Sequence, residues 1–556
     1  MFDHVTIRVA DLPASEAFYA TVLQTLGIER TYTGEELVEW QDFSIAPADA
    51  EHPVSRRLHV GFVAPSRERA DAFWRAGTEA GHRDDGAPAR GPSTAATTTA
   101  PSCSIPTGTT SRSSATTAEG RQRSDRSAHR NTAGPGRAVP ADGQARRKGV
   151  NRMKAVVFHG VGDIRLDEVP DPTLQDDEDA IVRLTASAIC GTDLHFVRGT
   201  MAGMRSGTIL GHEGVGVVEE LGSLVRNFEP GDRVVVCSTI SCGACSYCRA
   251  GYYAQCDRAN PNGSQAGTAF FGGPEATGSF DGLQAERARI PFAHTGLVAL
   301  PDEVCDEQAI LLSDIFPTGY FGAELAEVSN GDTVVVFGAG PVGVFAVLSA
   351  RMLGAGRVIC VDQHQDRLAM ARRAGAETID FSAEDPIDCI RELTGGIGPD
   401  RAIDAVGVDA ERAHEGPAAG RTETDEEQFA AEVGEVAPEQ AHNDGHWRPG
   451  DAPSMVLRWA VRCLAKAGTL AIIGVYPPQA KAFPIGEAMN KNLTLKMGNC
   501  NHRRYVPELI ELVRAGAVDP QVVLTQLEGP RAAIEAYEAF DLRRPGWIKV
   551  ELEPAA

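Results

Sequence analysis

Four cysteines, Cys242, Cys245, Cys248 and Cys256, stand in a C-x2-C-x2-C-x7-C run that can wrap one metal ion in four thiolates. Such a shell leaves no coordination position open, so it folds a loop and performs no chemistry. Cys190 and His212, the latter in Gly211-His212-Glu213, are a different case. They are far apart in sequence and lie among glycines and polar residues, the setting of an open site that keeps a position for water or substrate. Two zinc ions per chain are therefore expected, one structural and one catalytic.

A second chemical signal lies downstream. The strand-like run Thr333–Phe337 leads directly into Gly338-Ala-Gly340-Pro341-Val342-Gly343, a helix-period stretch covers Val344–Leu353, and Arg357–Val361 is a second strand-like run ending at Asp362. A lone GxGxxG is weak, but here it sits in a complete βαβ context. The glycines allow a tight turn and close approach of a pyrophosphate to the N-terminus of the following helix. At the end of the second strand Asp362 can accept both adenosine ribose hydroxyls and repel a 2′-phosphate, which favours NAD over NADP. Arg367, five residues on, is counted with the same cofactor site.

The elements that must position these groups begin at Met153. Lys154–Phe158, Ala180–Ala186, Gly214–Leu221 and Arg233–Cys237 are short β-branched runs between Gly, Pro and Asp turns, as in a compact, mostly β domain. The βαβ unit follows it. The chain has 556 residues, 42% of them hydrophobic, enough for several domains. No apolar run approaches the ~18 residues of a membrane span, and the N-terminus lacks a charged-then-apolar signal, so a cytoplasmic protein is expected. In that compartment the 12 cysteines point to metal binding and buried thiols rather than disulfides. Cys237, Cys305, Cys360, Cys389, Cys463 and Cys500 lie in or beside apolar stretches and read as small core residues. A net charge of −23 argues against a nucleic-acid partner.

Residues 86–152 carry 11 Lys/Arg against 3 Asp/Glu and almost no large apolar residue, so a disordered linker is expected there. Ahead of it, residues 1–85 show a strand at His4–Val9, a helix with apolar Ala14, Phe18, Val22 and Leu26, strands around Leu37–Ile45 and Leu58–Phe62, and a helix at Glu68–Ala80. This small α+β unit resembles a truncated glyoxalase-like, vicinal oxygen chelate domain, with His4 and His59 at that family's metal-ligand positions. Thr97–Arg112, back-translated and read one nucleotide earlier, can spell YYYGAFVLDPDGHNVE, which looks like the family's missing last strands. The expectation is that residues 1–152 are a frame-disrupted neighbouring reading frame joined to an enzyme whose own start is Met153.

From Met153 to Ala556 the chain resembles the zinc-dependent medium-chain alcohol dehydrogenase superfamily, on Cys190-Gly-Thr-Asp-Leu-His195, Gly211-His-Glu-Gly-Val-Gly216, the cysteine quartet, Gly338–Gly343 and Leu312-Ser-Asp314-Ile-Phe-Pro-Thr-Gly319. The last motif is similar to the glutathione-independent formaldehyde dehydrogenase branch, where an aspartate replaces a cysteine as third protein ligand. The fold so implied is α/β: a mostly-β GroES-like catalytic domain (153–318), a Rossmann doubly wound parallel sheet (319–493) and a return to the catalytic domain (494–556). The resemblance makes Cys190, His212 and Asp314 the catalytic zinc ligands. Thr192 and His195 become a proton relay through the cofactor ribose to solvent, Glu213 approaches the metal from behind, and Lys549 contacts the cofactor pyrophosphate. Hydride transfer between NAD and a small alcohol or aldehyde follows, in a homo-oligomer, dimer or tetramer. An acidic insertion at 409–453 is expected to be exposed and partly disordered, and Gly498–Tyr505 departs from simpler relatives. The rival readings are a glyoxalase-type metalloenzyme in the N-terminal unit and a catalytically silent NAD-binding protein. The absent strands weigh against the first, and intact Cys190, His212, Asp314 and Thr192 against the second.

Overall fold

The computed structural model describes residues 5–49 except 10, 35–36 and 42, short stretches at 63–64, 72, 75–76, 83–84, 98–99 and 103–104, and residues 151–554 except 261, 264–266, 423–424 and 441–444. The chain divides into two units, Met1–Ala141 and Asp142–Ala556.

In the first unit, strand Val5–Val9 pairs in parallel with Phe43–Pro47, and helix Leu12–Leu26 makes the crossover. Asp11 caps that helix by accepting from the Ala14 N–H at 2.9 Å, and Gly27 ends it with φ +77°. Leu37–Ile45 divides into a hairpin, Val38–Trp40 against Phe43–Pro47, because Gln41 turns the chain with φ +53°. Phe18, Val22, Leu23, Trp40 and Ile45 form the core between helix and sheet. His4, His59 and the strand expected at Leu58–Phe62 lie outside the described residues, as does most of Glu68–Ala80. Four residues of the stretch expected to be disordered are paired instead. Thr98–Thr99 lies against Val63–Ala64, and Cys103–Ser104 against Arg83–Asp84.

The second unit opens with a three-stranded sheet in which Arg152–Gly160 lies between Asp163–Pro170 and Thr208–Ile209. A larger sheet runs in the order Leu297–Ala299, Arg233–Val236, Gly214–Leu221, Ala180–Ile189, Val550–Leu552 and Gln526–Glu528. The end of the chain thus returns to a sheet begun some 370 residues earlier, through the antiparallel pairing of Ile189 with Val550.

Between these strands the chain builds a six-stranded, all-parallel sheet: Glu377–Asp380, Arg357–Asp362, Thr333–Phe337, Arg401–Asp404, Thr469–Ile472 and Thr494–Met497. Val334, Val335 and Val336 are buried in succession because helices cover both faces, which is why this strand reads as an unbroken apolar run. Helix Ile315–Leu325 packs against helix Pro341–Met352, with the Phe316 and Phe345 rings stacked 4.6 Å apart. A Cβ on Gly319 would lie 2.6 Å from that of Phe345, so the contact requires glycine there. The packing ties Asp314, the residue before the first helix, to the glycine loop before the second.

The acidic insertion is ordered where it is described, contrary to its composition. It contains helices Gly416–Thr422 and Glu426–Val436, and buries Phe429, Val436 and Trp447. Arg458 of helix Met455–Cys463 binds Asp425 at 2.8 Å and lies over the Phe429 ring. A few well-placed apolar side chains outweigh the acidic surface.

Candidate active site

Cys190 is the N-cap of helix Gly191–Arg198, and Asp193 holds it there by accepting the Cys190 N–H at 2.9 Å. His212 follows Gly211, whose φ of +91° turns the chain out of strand Thr208–Ile209. Asp314 lies at the junction of helices Asp306–Ser313 and Ile315–Leu325. Its neighbour Ser313 donates to the Val236 carbonyl at 2.6 Å and accepts from the Gly214 N–H at 3.0 Å, pinning the junction beside His212. Three chain segments thereby bring ligand atoms of Cys190, His212, Glu213 and Asp314 within 4.8 Å of one another, all buried.

These donors fit a divalent cation. Among the described residues His212 Nε2, 3.4 Å from Asp314 Oδ2, has no hydrogen-bond partner, and Glu213 Oε1 is equally without one. Orphaned buried polar atoms are costly unless something satisfies them. Burial pushes the Cys190 thiol up, with Asp314 and Glu213 adding to the effect against His212. Burial also works to raise Asp314, but the nearby His212 and the hydrogen-bonded His502 hold it well below the usual carboxylate range. The other imidazole nitrogen of His212 is 3.3 Å from Asp193, a carboxylate placed to orient a metal-bound histidine.

A second cluster stands on the loop after strand Arg233–Val236. The sulfurs of Cys242, Cys245, Cys248 and Cys256 lie within 4.8 Å of one another, and Cys256 Sγ accepts the Cys242 N–H at 3.2 Å. No disulfide joins any of the described cysteines. Four thiolates make a closed shell of the kind that holds a structural zinc. Of the remaining cysteines, Cys237, Cys360, Cys463 and Cys500 are buried, whereas Cys305 is exposed and Cys389 only partly covered. Cys305 caps the start of helix Asp306–Ser313, and Cys389 packs at the edge of the core.

The glycine loop has the geometry of a phosphate cradle. Gly338 turns with φ +91°, a Cβ on Gly343 would fall 1.8 Å from the Gly338 carbonyl, and Gly340 faces open space near Arg367. Pro341 starts the helix at a position where no N–H is needed, and Val342 follows it along the cleft. At the strand end Asp362 accepts the N–H groups of Ala339, Gln363 and His364 at 2.7 to 2.9 Å. One cleft of about 320 Å³ runs from Cys190, His212 and Asp314 past the glycine loop to Asp362, Arg367 and Arg543.

Thr192 and His195, three residues apart, share a helix face on this cleft. The imidazole is not a surface group. It is 5% exposed, with Nδ1 2.9 Å from Thr200 Oγ1 and 3.0 Å from Asp409 Oδ2. Lys549 is fully buried, pairs with Glu213, donates to the Ile189 carbonyl, and lines the same cleft.

Three further groups were not singled out from the sequence. Asp193 lies within the CGTDLH motif. His502, in the unusual Gly498–Tyr505 segment, has Nε2 2.6 Å from Asp314 Oδ1. Asp409 opens the insertion and, through His195 and Arg198, is held well below the usual carboxylate range although burial opposes this.

A family model for the alcohol dehydrogenase GroES-like domain matches residues 176–302, and one for the zinc-binding dehydrogenase domain matches 341–413. An uncharacterized zinc-type alcohol dehydrogenase-like protein of Bacillus subtilis is 35% identical over 406 residues, which are 72% of this chain and 100% of that protein. This chain belongs to the zinc-type alcohol dehydrogenase family. A zinc-type alcohol dehydrogenase-like protein of Schizosaccharomyces pombe is 34% identical over 72% of this chain and 90% of its own length. The solved alcohol dehydrogenase of Thermus sp. ATN1 is 30% identical with a TM-score of 0.59, over 72% of this chain and 99% of its own. A glutathione-independent formaldehyde dehydrogenase of Pseudomonas aeruginosa is 39% identical over 268 residues, 46% of this chain and 66% of that protein. Residues 1–108 match the model of the glyoxalase, bleomycin resistance protein and dioxygenase superfamily, which extends beyond residue 85. The dehydrogenase is thus an oxidoreductase carrying a glyoxalase-like segment at its N-terminus.

Proposed function

We propose that this dehydrogenase oxidises a small alcohol or aldehyde with NAD, in the manner of the formaldehyde-dehydrogenase-like branch, with two zinc ions per chain. The observation that carries this reading is the convergence of Cys190, His212 and Asp314 at one end of a cleft whose other end is Asp362. An oxygen ligand in place of a second thiolate leaves more positive charge on the metal. The likeness to the Pseudomonas formaldehyde dehydrogenase supports the same branch. Zinc held by these residues would supply Lewis acidity at the substrate oxygen, and NAD in the cleft would supply a hydride acceptor.

The chain's own residues do the rest. Cys190, His212 and Asp314 are the zinc ligands, and Cys242, Cys245, Cys248 and Cys256 hold the structural ion. Thr192 accepts the proton that leaves the substrate hydroxyl, passing its own toward His195. Phe270 and Met201 line the substrate end and exclude water. Gly338, Gly340 and Gly343 let the pyrophosphate approach the helix that Pro341 and Val342 begin, while Asp362 and Arg367 bind the adenosine ribose. Lys549 and Glu213 form a buried pair behind the metal ligands. Strand Thr494–Met497 ends the parallel sheet, with Met497 exposed on it and Ile485 and Met489 exposed nearby, which supports a homo-oligomer joined at that edge.

The test is a panel of small alcohols and aldehydes, formaldehyde included, followed by NADH absorbance with and without glutathione. Turnover without glutathione that is lost in Asp314→Ala supports the reading. Zinc-loaded protein that turns over none of the panel, or needs glutathione, overturns it.

A further inference from the structure

The row Thr192, His195 and Arg198 runs along one face of a single helix, each residue three positions from the last. At its far end stands a buried carboxylate from the other domain. Asp409 Oδ2 is 2.9 Å from Arg198 Nη1 and 3.0 Å from His195 Nδ1, while its Oδ1 accepts the Gly450 N–H at 3.2 Å. The other side of Arg198 binds Asp541 at 2.8 Å, and Asp541 in turn accepts the Trp447 N–H at 2.8 Å. Both ends of the insertion are therefore fastened to the helix that carries His195.

The hydrogen bonds decide which nitrogen of His195 bears the proton. An ionised carboxylate only accepts. The Thr200 hydroxyl donates to the His195 carbonyl at 3.3 Å, so its oxygen is left to accept. Nδ1 thus faces two acceptors and must carry the hydrogen. Nε2 has no protein partner among the described residues, and the side chain lines the cleft. A neutral imidazole with Nδ1–H presents its lone pair at Nε2, where a proton can be received.

We infer that Asp409 is a positioning residue for the proton relay: it fixes His195 as the Nδ1–H tautomer with Nε2 toward the cleft, and it pairs with the imidazolium formed when Nε2 takes the proton. This rests on the relay role given to His195 above. In alcohol oxidation the substrate O–H bond breaks, Thr192 gains that proton and releases its own into the cleft, Nε2 takes one proton up from the cleft, and the electron pair of the C–H bond leaves with the hydride to NAD. Asp409 keeps its charge throughout and itself transfers nothing. A residue that opens an insertion of the cofactor domain thus completes a base carried by the catalytic domain.

Asp409→Asn keeps the size and removes the charge. Measured on zinc-loaded full-length protein with saturating NAD, it is expected to lower kcat by about 10- to 100-fold with KM for the alcohol and zinc content little changed. In a His195→Gln background the same change should cost less than about twofold, since the group it serves is gone. Asp409→Glu should recover part of the loss. Equal losses in both backgrounds would show a merely structural clasp, and an unchanged kcat in Asp409→Asn while His195→Gln is impaired would overturn the inference alone. A His195→Gln variant as fast as the parent would overturn the relay reading itself, and the inference with it. Should Asp409→Asn fail to fold, nitrogen NMR of 15N-histidine-labelled parent protein, assigned by loss of the signal in His195→Gln, reads the tautomer directly. Nδ1 of the protonated, pyrrole type supports the inference, and Nε2 of that type overturns it.

Discussion

His502 Nε2 lies 2.6 Å from Oδ1 of Asp314, the oxygen ligand of the candidate catalytic metal. The carboxylate can only accept, so Nε2 donates, while Nδ1 lies 3.1 Å from the Thr239 hydroxyl. Thr318 Oγ1 holds the same Asp314 oxygen at 3.2 Å, leaving Oδ2 for Cys190 and His212. Partners behind a ligand tune affinity as well as orientation. His502→Ala should therefore weaken zinc at this site by about 10- to 100-fold while the four-cysteine site keeps its ion. Competition with a chromophoric chelator would resolve the two sites, and two unchanged affinities would rule this role out.

The closed and open sites should fail differently. Elemental analysis is expected to find about two zinc ions per chain. Cys245→Ser opens the thiolate shell, and the loop after strand Arg233–Val236 should lose its order with a fall in melting temperature of several degrees. Asp314→Ala should fold normally and lose turnover by two or more orders of magnitude. A Cys245→Ser protein as stable as its parent would contradict the structural role.

How much of this was legible in the sequence follows from how local each signal is. The cysteine quartet and the glycine loop are short-range patterns whose spacing reflects one loop and one helix turn, and they were read directly. Asp314 could be reached through the resemblance alone. His502 and Asp409 could not, because they act on Asp314 and Arg198 from 188 and 211 residues away, and no spacing records such a contact. The insertion misled by composition: its acidic surface hid the buried positions Phe429, Val436 and Trp447. Lys549 was placed on the cofactor by family position, and its pairing with Glu213, 336 residues away, left no trace in the sequence.

Cofactor choice rests on Asp362, and it has cations close by. Arg543, which burial and the nearby Arg198 and Arg367 push down to about 9, and Arg367 itself both border the cleft. Asp362→Ser would remove the negative charge that repels a 2′-phosphate and leave those two guanidinium groups to attract one. NAD should be strongly preferred by the parent, and the ratio of kcat/KM for NAD over NADP should fall at least tenfold in the variant. Equal use of both cofactors by the parent would refute the assignment.

Glu551 gives a pH test remote from catalysis. Burial and the neighbouring Glu307, Glu553 and Asp306 push its carboxyl up to about 8, and among the described residues its Oε2 has no hydrogen-bond partner. In the unfolded chain the same group ionises near ~4.3. Between those values the unfolded state sheds its proton while the folded state keeps it, so this residue costs stability increasingly as pH rises from about 4 to about 8. Glu551→Gln, which never ionises, should melt close to the parent near pH 5 and clearly above it at pH 8.5, by on the order of a few kcal/mol at most. A gap that shrinks as pH rises would contradict the assignment.

A chain beginning at Met153 should bind zinc and NAD and turn over as well as the full 556 residues. Every group placed in the site lies at or beyond Cys190, and the Bacillus relative is matched over its whole length by 406 residues of this chain. Met153 itself is already in the fold, buried with Ala155, Val157, Ile209 and Ala285. Of the described residues of the second unit the truncation removes only Asn151 and Arg152: the Arg152 pairing with Glu168 is exposed, and the Asn151 carbonyl accepts one N–H, from Asp171, at 3.0 Å. Exposed ion pairs of this kind contribute little to stability. The comparison is activity per zinc and melting temperature of the two chains. Equal values would show that the glyoxalase-like segment is dispensable to the dehydrogenase, whereas a truncated chain that loses activity or melts well below the full one would make residues 1–152 a working part of the enzyme.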